Sequence, residues 1–180
     1  TSLLLGMGVP TTANYVITST IAAPALVQLG VPVLAAHMFA FYFGIIADVT
    51  PPVALAAYAG AGISGGNPMK TGVVAAKLSI AAFIIPYVFV YNPQLLLINT
   101  TFAGMAFATL TAIVGMVGIS VSMIGYGIRP TNKVQRILFL VSGLLLIDPG
   151  LMTDAAGAIL LVALFGWQKM QNKSDAAKQA

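Results

Sequence analysis

Residues 44–58 read GIIADVTPPVALAAY, and this stretch decides the fold. It runs apolar, halts at Asp48-Val49-Thr50-Pro51-Pro52, and resumes apolar. Pro51 and Pro52 carry no backbone N–H, so carbonyls one turn earlier lose their helical donors. In hydrocarbon those carbonyls cannot turn to water, so such a break must be buried in protein or line a polar cavity. The stretch therefore predicts a discontinuous membrane helix, Val33 to Ala47 and Val53 to Ile63, unwound at its centre. The two halves together are too long for one untilted span.

Composition supports a membrane setting. Of the 180 residues 59% are hydrophobic and only 7% charged, and mean hydropathy is +0.97. A soluble domain carries about 25% charge. The expected class is an all-α polytopic membrane protein. The net charge of +4 comes from short basic clusters between apolar runs, which suit membrane orientation and not nucleic-acid binding. No cysteine is present, which excludes disulfides, thiolate metal sites and cysteine nucleophiles, and a lone His37 argues against zinc. There is no HExxH pair and no acidic cluster for Mg²⁺-diphosphate chemistry, so no enzyme is expected and no cofactor beyond a coupling ion.

Upstream of the break, Gly6-Met7-Gly8-Val9-Pro10-Thr11-Thr12 reads as a non-helical tip, and a helical arm leaves it toward Leu29. The arm is rich in Thr, Ser and Asn and is interrupted by Pro24, so a half-depth re-entrant arm fits better than a lipid-facing span. The chain starts at Thr1 with no charged n-region, and it reads as the C-terminal fragment of a longer protein whose partner arm lies upstream. Downstream, Gly30-Val31-Pro32 and residues 64–68 are turns. Residues 73–91 form a span kinked at Pro86, residues 94–98 an interfacial piece, and Thr101 to Ile128 a simple span with small residues Gly104, Gly115, Gly118 and Ser122 for close packing. Val134 to Ile147 and Leu151 to Trp167 follow, split by Asp148-Pro149-Gly150, and residues 169–180 read as a polar, disordered cytoplasmic tail. Three basic clusters (Lys70/Lys77, Arg129/Lys133/Arg136 and Lys169/Lys173/Lys178) place the 63–77 and 128–136 loops and the C-terminus on the cytoplasmic side. The resulting division is a core over residues 1–98, with tip and arm at 1–29, broken helix at 31–63 and span at 73–91. A further membrane region of about three helices covers residues 99–168.

Two elements carry candidate chemistry. The tip offers backbone carbonyls of Gly6, Gly8 and Val9 as hard ligands for Na⁺, and the start of the following helix attracts a carboxylate, with Thr11, Thr12 and Asn14 as side-chain donors. An ordinary turn between helices is the plain alternative. Asp48 at membrane depth costs about 2.5–3.5 kcal/mol on insertion scales, so it is expected to face protein or water. It could pair with a cation, carry a proton, or cap the helix after the prolines. With Thr50 and Pro51 it completes the expected cation site, and Thr50 also joins Thr11, Thr12 and Asn14 on the substrate side. Transporters build midplane sites from two such discontinuities. His37 is expected to pack or to lie at the interface, Tyr42 and Tyr58 to line the site or to pack, and Asp154 to cap a helix in an outer loop.

The stretches GMGVPTTANYVITSTIAAPAL (6–26) and FGIIADVTPPVALAAYAGAGISG (43–65) closely resemble the large membrane subunit of TRAP transporters, specifically the fused permeases of the TAXI branch. The resemblance covers residues 1–98. Residues 99–168 are similar to an extra C-terminal region of such proteins, with GLLLIDPGLMTDAAGAILL (143–161) its most recognisable part. The resemblance implies a partial elevator-type ion-transporter fold in a bacterial or archaeal cytoplasmic membrane. It implies ion-coupled uptake of an organic acid, a dicarboxylate or an amino acid, delivered by a periplasmic binding protein. It also makes Gly6–Asn14 the tip of the second hairpin and Asp48–Pro52 the unwound helix centre. Ala47-Asp48-Val49 stands where many large subunits have a glycine-rich stretch, which leaves Na⁺ or H⁺ open as coupling ion. A non-transporting assembly module in residues 99–180 and a carrier independent of any binding protein are the competing expectations.

Overall fold

A computed structural model describes residues 2–5 and 8–179, the side chains at 5 and 173–179 excepted. Gly6 and Met7, the first two residues of the expected tip, lie outside the described residues. The described chain is all helical apart from turns, and it forms two compact units, residues 1–99 and residues 100–180.

In the first unit, α1 (Ser2–Leu5) precedes α2 (Thr11–Gln28), α3 (Val33–Ile46), α4 (Leu55–Ser64), α5 (Pro68–Leu78) and α6 (Ile80–Tyr91). Pro24 does not interrupt α2, which stays helical through it. The α2 and α3 helices pack side by side and run antiparallel, since Asn14 meets Gly44 near the start of one and the end of the other. Tyr15 Oη lies 2.9 Å from His37 Nδ1, and the Tyr15 ring meets Phe41 edge-on at 5.5 Å, so His37 is a packed residue of this pair. On the other side of α3, Phe39 and Phe43 pack against Tyr87 of α6.

Two boundaries differ from expectation. The 63–77 loop is mostly helix, because Asn67 accepts the Lys70 N–H at 3.0 Å as a cap and Pro68 occupies the first helical position, so α5 starts there and carries both Lys70 and Lys77. Pro86 sits buried within α6, and the irregularity falls at Ser79, where the Ala82 N–H turns to the Ser79 carbonyl at 2.9 Å.

The second unit comprises α7 (Phe102–Ile124), α8 (Lys133–Ile147) and α9 (Leu151–Gln179). Gly125 ends α7 in a left-handed conformation at φ 81°, four residues before the expected end. A capping box between Asn132 and Gln135 starts α8. Gly115, Gly118 and Ser122 are buried, as their size suggests, and α7 meets α8 at Gly115 and Gly143. Arg136 donates to the Ser122 and Met123 carbonyls at 2.6 and 3.0 Å, which satisfies the open end of α7. The α9 helix continues through Gln179, where the sequence predicts a disordered tail. Residues 168–179 contain no Gly or Pro and are rich in Ala, Lys and Gln, so nothing in them stops a helix already under way. Among the described residues, three helical stretches are long and apolar enough to cross a membrane: Pro68–Tyr91, Phe102–Ile124 and Leu151–Asn172.

Candidate functional site

The break in the helix is built from its own side chains. Helix α3 tightens into a 3₁₀ turn over Ala47–Val49, and the chain is extended at Thr50 (φ −108°, ψ 122°). The Thr50 N–H donates to the Ala47 carbonyl at 3.2 Å, which replaces the bond Pro51 cannot make. The Thr50 hydroxyl donates to the Ile46 carbonyl at 2.7 Å. Thr50 thus closes the end of α3 while its hydroxyl lone pairs stay available as an oxygen ligand. The chain then re-enters helix through Ala54, which is fully buried and left-handed at φ 37°.

Helix α5 seals this turn. A methyl built on Gly72 would lie 3.0 Å from Tyr58, 3.2 Å from Pro51 and 3.4 Å from Ala54, so glycine lets α5 come this close without displacing those side chains. Tyr58 reaches back to donate its hydroxyl to the Pro52 carbonyl at 2.9 Å. Tyr58 is therefore a strap across the break. Removing its hydroxyl in Tyr58→Phe is expected to cost about 1 kcal/mol, as loss of one such bond does. The check is the thermal unfolding midpoint of the purified protein.

Around this break the candidate residues separate into buried and exposed sets. Asp48 is partly buried, and its carboxylate has no hydrogen bond or ion pair among the described residues. Asn14 is almost fully buried at 2% exposure, and its side chain fills the space left by Gly44, one turn before Asp48. Its Oδ1 has no hydrogen-bond partner among the described residues. Thr11 and Thr12 are exposed in the first turn of α2, whose preceding Pro10 supplies no side-chain cap. The N–H groups of that turn are open donors. Gly8 is exposed and left-handed at φ 76°, and Val9 is partly buried. No described hydrogen bond joins Thr11, Thr12 or Asn14 to Asp48 or Thr50. Packing brings Asn14 to the α3 end of the break, while Thr11 and Thr12 remain at the surface. The roles of Gly44, Gly72 and Tyr58 emerge only from packing. A glycine within an apolar helix carries no mark of what approaches it, and Tyr58 reads as equally apt to pack or to bind.

A helical membrane protein with a discontinuous helix of this kind, its freed carbonyls re-satisfied by a neighbouring hydroxyl, has the architecture that secondary transporters use. The chain belongs to the DctM component of the tripartite ATP-independent periplasmic transporters, whose family model matches residues 1–105, and its C-terminal part belongs to the FxsA cytoplasmic membrane protein family, which matches residues 71–169. No curated protein and no solved structure matches the chain.

Proposed function

We propose that residues 1–98 are part of the transport core of a TRAP permease of the fused TAXI type, in the cytoplasmic membrane of a bacterium or archaeon, with its C-terminal end cytoplasmic. The permease takes up an organic acid, a dicarboxylate or an amino acid, from a periplasmic binding protein, driven by a Na⁺ or H⁺ gradient. The Thr50-centred break within the DctM match carries this reading, because its part-buried hydroxyl oxygen suits a small cation. Asp48, Thr50 and the Pro51 segment serve the cation together with the carbonyls of Gly6, Gly8 and Val9. Thr11, Thr12, Asn14 and Thr50 serve the substrate, whose carboxylate suits the open N–H groups at the start of α2. Uptake of labelled organic acids into proteoliposomes tests this, with the permease alone and with its binding protein, under a Na⁺ or a proton gradient. Gradient-driven uptake that needs the binding protein supports the reading, and uptake that persists without one turns it to a self-sufficient carrier.

A second reading concerns the C-terminal unit alone. The FxsA match and the separate packing of residues 100–180 favour a module that does not transport. Deleting residues 100–180 is then expected to leave uptake within about twofold of the intact permease, whereas abolished uptake in a correctly inserted deletion variant assigns the unit to transport.

A further inference from the structure

In the C-terminal unit, α7 and α9 flank α8 and run parallel, and they are unequally spaced along their lengths. At one end they close: a methyl on Gly118 would lie 3.1 Å from Leu161, and Gln168 Oε1 accepts the Ile128 N–H at 3.0 Å just beyond α7. At the other end they part around a cleft of about 390 Å³. One face of α7 supplies Phe107, Leu110 and Val114, one face of α9 supplies Leu151, Asp154 and Ala158, and Leu146 of α8 lies between them. The spacing on both helices is i, i+3, i+7, so each helix offers a single continuous stripe. The volume falls in the range of about 300–1,000 Å³ that small-molecule sites occupy.

The chemistry of the cleft is narrow. Thr111 also lines it, but its hydroxyl donates to the Ala108 carbonyl at 3.1 Å within its own helix. Asp154 is the one ionisable residue in the lining. It has no ion pair among the described residues, and Asp148 nearby adds to the negative field. The described cations of this unit, Arg129, Lys133, Arg136 and Lys169, belong to the closed end, where α8 starts and α9 passes Gln168. Phe107, Leu110 and Leu151, at 50%, 62% and 83% exposure, continue the apolar lining outward onto a surface that suits hydrocarbon. Asp154 lies in the first turn of a helix long enough to cross the membrane, hence at headgroup level when that helix spans.

We propose that this cleft binds a bilayer phospholipid with a primary ammonium headgroup, phosphatidylethanolamine, its ammonium on the Asp154 carboxylate and an acyl chain along the α7 and α9 stripes. A carboxylate accepts hydrogen bonds from a primary ammonium, and a glycerol headgroup offers no positive charge to it. The choice of lipid rests on this charge complementarity. The intact chain is reconstituted in vesicles of equal phosphatidylethanolamine and phosphatidylglycerol, gently extracted, and weighed with its retained lipid by native mass spectrometry. The wild type is expected to retain phosphatidylethanolamine about tenfold over phosphatidylglycerol, a ratio equivalent to about 1.4 kcal/mol. Asp154→Asn brings the ratio to about one without changing shape. Ala158→Phe fills the cleft and removes both lipids, while Ile159→Phe, at a position 71% exposed and outside the cleft lining, behaves as wild type. Equal retention of the two lipids by the wild type overturns the proposal. So does a preference that survives Asp154→Asn, or a lipid-free dimer mass that shows a second copy in the cleft. Emission from Trp167, the single tryptophan, confirms that each variant keeps the packed C-terminal unit.

Discussion

Gly143→Ala is expected to destabilise the C-terminal unit by about 3 kcal/mol, the upper end of what overpacking costs. A methyl at this position would meet the Gly115 carbonyl oxygen at 2.5 Å, the Ile119 backbone nitrogen at 2.9 Å and Ile119 Cγ1 at 2.6 Å. Two of these three neighbours are backbone, so no rotamer change relieves the clash and α7 must move away from α8. That movement also weakens the contact at Gly118, where the Phe139 carbonyl and Leu161 are close neighbours. Phe139, Leu146, Leu161 and Leu164 form the buried cluster that depends on this spacing. Because Trp167 is the only tryptophan and lies on α9, its emission during SDS titration reads this unit alone. The midpoint is expected to fall well below wild type. Leu164→Ala is the natural comparison, since it removes apolar contact from the same cluster without moving backbone, at about 2–5 kcal/mol.

Gly44→Val is expected to reduce uptake at least about tenfold, because it acts on the break from the side. A methyl there would lie 2.8 Å from Asn14 Nδ2 and 2.9 Å from Oδ1. Asn14 is 2% exposed, so either its side chain must swing away from Gly44 or α2 and α3 must separate. Either movement alters the contact between the start of α2 and the end of α3, one turn from Asp48. A double substitution isolates the contact. In Asn14→Ala the space beside Gly44 is empty, so adding Gly44→Ala there costs less than adding it to wild type, and the two changes are non-additive in unfolding free energy. Strict additivity would show that Asn14 and Gly44 do not touch.

The break itself is legible in the sequence because proline's effect is local and absolute: no neighbour can restore an N–H to Pro51 or Pro52. What repairs the break is less legible. The Thr50 hydroxyl bonds back to Ile46 four residues earlier, a local pattern open to sequence reading, but Gly72 reaches Pro51 from 21 residues on and Tyr58 reaches Pro52 from six residues on, by packing alone. The start of α5 is hidden because Asn67-Pro68 reads as a turn ending one helix, and the same pair opens the next. The tail reads as disordered from its polarity, while its lack of Gly and Pro lets α9 continue. The two compact units divide at Asn99, where Leu97 and Asn99 both adopt left-handed backbone. The acidic cleft of the C-terminal unit has no local signature, since its two stripes lie on helices more than 40 residues apart in sequence and look, one at a time, like ordinary lipid-facing surface.

Whether the Thr50 break handles the coupling ion is tested most directly by one measurement: the dependence of organic-acid uptake on external Na⁺ and on an imposed proton gradient, in proteoliposomes of the full permease supplied with its binding protein. In Thr50→Ala the loss of the hydroxyl removes both an oxygen ligand and the bond to the Ile46 carbonyl. This variant is expected to insert normally but to need at least about tenfold more ion for half-maximal uptake, and Asp48→Asn is expected to change which gradient drives it. Wild-type ion dependence in both variants would contradict an ion site at the break.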